Sequence, residues 1–74
     1  MDTDNLVHMA NRIGEFFQTM PEREEAVLEF TQHLHQFWEP RMRRELHAHL
    51  DHAGGADLLP IVRDALLAHR NEWI

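Results

Sequence analysis

The chain has 74 residues and a mass of 8.8 kDa, enough for one small domain spanning 1–74 and too little for a second core or an enzyme built around a large pocket. At 43% hydrophobic and 27% charged it has the composition of a folded domain, not of a disordered tail. Its net charge of −6, carried against seven arginines and no lysine, repels phosphate backbones and argues against general nucleic-acid binding.

Leu6, Met9, Ile13, Phe16 and Met20 recur at steps of three and four, with Val7, Ala10 and Phe17 widening the stripe, and this spacing predicts a first amphipathic helix. Asp2, Thr3 or Asp4 can cap its start, where acidic groups face the positive end of the helix dipole. Gly14 costs about 1 kcal/mol relative to Ala inside a helix, so its place here predicts close approach of a neighbouring backbone. Pro21 ends the helix and can open the next one at its first position, an end that Glu22, Glu24 and Glu25 favour. Val27, Phe30, Leu34 and Phe37 then form the second stripe, flanked by Ala26 and Trp38. Pro40 disfavours helical geometry at Glu39 and opens a third helix with Met42, Leu46, Leu50 and Ala53 on one face, closed by Gly54 and Gly55. After a short connection at 56–59, Pro60 starts a fourth helix in which Ile61, Val62, Ala65, Leu66 and His69 share a face and which frays near Asn71. No strand signal or repeat is present. The expected fold is all-α, a compact bundle of about four short helices, the first two packed on each other and the last two completing the core.

The side chains offer little chemistry. Cysteine is absent, which removes disulfides and thiolate metal sites. His33 and His35 lie about 200° apart on a helix and cannot share an ion, whereas His49 with His52, or His47 with Asp51, could converge only with ligands from elsewhere. No serine, tyrosine or lysine is present, and Thr3, Thr19 and Thr31 stand in no pattern of an activated nucleophile. The chain is therefore expected to be no enzyme acting alone and to hold no metal. No apolar run approaches the length of a membrane span, and the acidic start lacks the order of a secretion signal, so the expected setting is cytoplasmic, with no membrane partner.

A chain this small, without disulfides, is expected to gain stability from a partner. The stretch from Phe37 to Arg44 joins two aromatics, a kink and three guanidiniums within eight residues. One reading puts Phe37 and Met42 in the core, Trp38 partly buried at the corner and the arginines in solvent. The other makes the stretch a partner surface, since Trp and Arg dominate binding hot spots and Met adapts to irregular apolar contacts. Trp38, Arg41, Met42 and Arg44 are the candidates, Arg41 and Arg44 projecting together three residues apart. Trp73 is a further candidate near the chain end, where it and Ile74 either fold back over the domain or insert into a partner.

The segments LVHMANRIGEFF (6–17), MPEREEAV (20–27), FWEPRMRREL (37–46) and LLPIVRDAL (58–66), in this order, resemble the delta subunit of soluble NAD-dependent formate dehydrogenase. The most specific part is Phe-Trp-x-Pro-Arg-Met-Arg, followed by Gly-Gly and Pro-Ile-Val-Arg. The resemblance implies a non-catalytic accessory subunit that supports stability or cofactor maturation of the complex. It implies an alpha subunit, the expected direct partner, with a molybdenum or tungsten bis-molybdopterin guanine dinucleotide and iron–sulfur clusters. It also implies beta and gamma subunits that pass electrons to FMN and NAD. It implies no cofactor bound by this chain and assigns it no catalytic residue, and His33, His35, His49 and His52 fall outside its pattern. Two readings of another class stand beside it, a free-standing His-rich metal-binding module and a self-associating helical protein.

Overall fold

The structure, a computed structural model, describes residues 2–69 and consists of α1 (Thr3–Phe17), α2 (Arg23–Phe37), α3 (Pro40–Ala53) and α4 (Pro60–Ala68). The start of α1 is capped by Asp2, whose carboxylate accepts the Asp4 amide at 3.1 Å. One expectation fails at the next junction: α2 begins at Arg23 with an extended Glu22 as its cap, so Pro21 belongs to the turn instead of the helix. The chain tightens after α1 through Thr19 and Met20, whose amides donate to Phe16 and Phe17 at 3.3 and 3.1 Å, and it extends at Glu22 before winding again. Pro40 and Pro60 do sit in the first turns of their helices, behind extended Glu39 and Leu59. Gly54 and Gly55 both adopt left-handed φ near 79°, a conformation that costs a side chain and lets the chain reverse between α3 and α4. His69 is the cap of α4, not a member of its apolar face, and Asn71 lies outside the described residues.

Leu6, Phe30, Leu34, Leu46, Ile61, Val62 and Leu66 are fully buried, so all four helices contribute to one core. Burying each such side chain stabilises the fold by about 1.5–3 kcal/mol. The heaviest packing is α2 on α4, while α1 touches each of the other three helices. The first two helices do pack on each other, as expected, and the nine-residue α4 is the wedge against which α2 closes. At Gly14, α4 packs closely on α1. A Cβ there would stand 2.8 Å from Val62 Cγ2 and 3.2 Å from Ile61 Cγ2, so the close approach is made by two branched side chains, not by backbone.

Two aromatic residues predicted on buried stripes are outside. Phe16 is 69% exposed and Phe37 66% exposed. Trp38 takes the place in the core expected of Phe37. It is the C-cap of α2, with φ −96° and ψ 144°, so its side chain leaves the helical progression and turns inward while Phe37, the last helical residue, stays out.

Candidate functional site

The corner between α2 and α3 is built on a buried arginine. Arg43, 7% exposed, lies on the inner stripe of α3 with Leu46, His47 and Leu50 and points back across the Glu39–Pro40 kink. Its Nη1 donates to the carbonyl oxygens of Trp38 at 2.7 Å, His35 at 3.1 Å and Leu34 at 3.5 Å. These carbonyls lie at the end of α2, where the helix dipole is negative and the Leu34 oxygen also accepts the Trp38 amide, so one guanidinium serves as a charged C-cap from a different helix. The sequence reading passed over Arg43 in favour of its neighbours. The available signal was its spacing of three, four and seven from Leu46, His47 and Leu50, which places a cation on an apolar stripe one turn past a helix end.

The candidate residues separate accordingly. Arg41 and Arg44 are exposed and have no ion pair among the described residues. Met42 is partly buried against the core, and Trp38 is buried at 6% exposure, its ring inside the domain and not offered to a partner. Trp73 lies outside the described residues. What the corner presents outward is therefore two guanidiniums at the positive end of α3, in a chain that is otherwise acidic.

Beside this corner runs a row of rings that the sequence reading did not assemble. Phe17 packs edge-on against buried Phe30 with centroids 6.4 Å apart, Phe16 stands edge-on to Phe17 at 5.1 Å, and His33 meets Phe17 at 5.7 Å. His33 in turn lies 4.7 Å from Phe37. The row begins and ends on the two most exposed phenylalanines and is anchored in the core at its middle.

The histidines are dispersed. His49 Nε2 pairs with Asp57 Oδ2 at 2.8 Å, His33 is in the aromatic row, His47 is buried on α3 and His52 is exposed. Among the described residues no group of three His, Asp or Glu side chains converges to hold a metal ion. With no cysteine in the chain, its donors do not fit an iron–sulfur cluster either. A cleft of about 400 Å³ between α2 and α4 is lined by Glu24, Val27, Leu28, Ala68 and His69 and bordered by the Arg23–Asp64 ion pair at 2.8 Å. No described helix is long and apolar enough to cross a membrane.

The loop after α3 is fastened from α1 by Asn11, another residue that periodicity could not single out. Its side-chain Nδ2 donates to Asp57 O at 2.9 Å and its Oδ1 accepts the Leu59 amide at 2.9 Å. An amide that both donates to and accepts from one loop fixes where α4 begins, and hence where Ile61 and Val62 meet Gly14.

The family model described as NADH-dependent formate dehydrogenase delta subunit FdsD matches residues 5–66, which include nearly all of the four-helix body. No curated protein and no solved structure matches the chain.

Proposed function

This chain belongs to the family of NADH-dependent formate dehydrogenase delta subunits, and on that premise we propose that it is a non-catalytic accessory subunit of a cytoplasmic formate dehydrogenase, supporting the stability or cofactor maturation of the complex. The observation that carries the reading is the family match across all four helices. In this reading the molybdenum or tungsten pterin, the iron–sulfur clusters, FMN and NAD belong to the alpha, beta and gamma subunits, and the alpha subunit is the direct partner. The small chain supplies surface instead of chemistry. Arg41 and Arg44 contribute to docking through bidentate contacts with carboxylates, while Trp38 and Arg43 keep the corner rigid from inside.

Affinity purification of the chain from its native host, followed by mass spectrometry and metal analysis, tests this directly. The expected result is co-purification of the large formate dehydrogenase subunit. Fixed stoichiometry with molybdenum- or tungsten-loaded enzyme identifies a permanent subunit, and enrichment on metal-free enzyme identifies a maturation factor. Recovery of the chain without any formate dehydrogenase subunit, or turnover of formate by the purified chain alone, overturns the proposal.

A further inference from the structure

Phe16 and Phe37 are knobs, not the walls of a groove: each exposes about two-thirds of its surface, and Phe17 and His33 join them into one row. Leaving such rings in water forgoes the stabilisation that their burial gives, about 1.5–3 kcal/mol for each, in a domain whose whole stability is about 4–11 kcal/mol. The rings are also held in place. Edge-to-face contacts run from Phe16 through Phe17 to Phe30, which is fully buried, so little side-chain freedom remains to be lost on binding.

Resting on the accessory-subunit reading, we propose that the row Phe16–Phe17–His33–Phe37 is the face by which this chain docks on a larger formate dehydrogenase subunit, and that the partner surface is apolar, concave and rimmed with carboxylates. The rim follows from charge. Arg12 is one turn before Phe16 on the same face of α1, and Arg41 lies four residues beyond Phe37. Both are exposed, and neither has an ion pair among the described residues. Arg12 thus stands one turn from the Phe16 end of the row, and Arg41 follows the Phe37 end along the chain, across the Glu39–Pro40 kink, in a chain of net charge −6. Glu29, one turn before His33, is the acid beside its middle.

The same charges argue against a second copy of this chain as the occupant. Two copies related by a twofold axis can stack their rows with opposite ends together or with like ends together. With like ends together Arg12 meets Arg12, and in either arrangement two acidic domains are brought into contact. A carboxylate-rimmed socket on a different subunit meets neither penalty. The face is also continuous along the chain with the corner that exposes Arg41 and Arg44, since Phe37 is the residue just before buried Trp38.

The test is titration of labelled full-length chain against the formate dehydrogenase complex prepared without it, with circular dichroism and thermal melting of each variant as the folding control. Phe16→Ser combined with Phe37→Ser is expected to keep the helical spectrum and to raise Kd by at least about tenfold. Leu28→Ser combined with Leu67→Ser removes the other large apolar side chains exposed among the described residues and should change Kd by no more than about twofold. If the phenylalanine pair fails to fold, Arg12→Glu combined with Arg41→Glu decides, with an expected loss of about fivefold or more and a flatter salt dependence. A folded phenylalanine variant that binds as the wild type does overturns the row while leaving the accessory-subunit reading intact. Failure of the wild-type chain to bind overturns that reading and the row with it. A wild-type dimer that the phenylalanine variant converts to monomer in sedimentation overturns the choice of occupant.

Discussion

Gly14 shows how one missing methyl positions a helix. In an exposed helix its replacement by Ala would stabilise by about 1 kcal/mol, because glycine loses more backbone freedom on folding. Here the new Cβ would fall 2.8 Å from Val62 Cγ2, and Val62 is fully buried with a branched side chain that has no free rotamer to turn into. The clash outweighs the propensity gain, so Gly14→Ala is expected to destabilise the domain by about 1–2 kcal/mol and to lower its melting temperature by about 4–16 °C. Combining it with Val62→Ala should cost about 1 kcal/mol less than the two single changes added together, since the smaller residue gives the methyl its space. A melting temperature for Gly14→Ala at or above that of the wild type would mean that α4 slides freely over α1.

Among the elements, the junction of α2 and α3 depends on Arg43 as well as on buried Trp38. Replacing Arg43 with Met keeps the length of the stem and removes the donor to three terminal carbonyls of α2. The Leu34 carbonyl still accepts the Trp38 amide at 2.8 Å, and the change also removes a buried Nε that makes no hydrogen bond. The expected loss is therefore moderate, about 1–3 kcal/mol in chemical denaturation, against no more than about 0.5 kcal/mol for Arg41→Met or Arg44→Met. Equal losses at all three positions would show that the guanidinium is not a cap. The contrast marks what the sequence made legible. Proline and glycine gave the boundaries of α3 and the start of α4, because each acts on its own backbone without regard to packing. Periodicity gave the faces of all four helices but failed at their ends, where Phe16, Phe37 and Trp38 answer to the exit direction of the chain and not to a turn of 100° per residue. The aromatic row and the Asn11 clasp were invisible for another reason. Both join residues distant in sequence, and only the packing of α1 against α2 and against the loop before α4 brings them together.

At the scale of the whole molecule the decisive quantity is charge. Thirteen acids face seven arginines, and the ion pairs among the described residues are Arg23–Asp64, about half exposed, and His49–Asp57, which counts only while the histidine is protonated. Half-exposed pairs of this kind contribute about 0–1 kcal/mol, so little attraction is lost to screening. The repulsion is different in kind, since folding confines the net charge to a body 32 × 22 × 18 Å, whereas the unfolded chain spreads it out. Raising sodium chloride from about 20 mM to about 500 mM shortens the screening length from roughly 20 Å to roughly 4 Å, well inside that body. The isolated chain should therefore melt about 2–6 °C higher in the concentrated salt, a shift readable by circular dichroism. A fall in melting temperature would mean that attractive pairs dominate the surface. Docking should respond with the opposite sign, because Arg12 and Arg41 attract carboxylates that salt screens. A chain that grows more stable alone while binding its partner less tightly, over one salt series, separates the charge that burdens this fold from the charge that orients it.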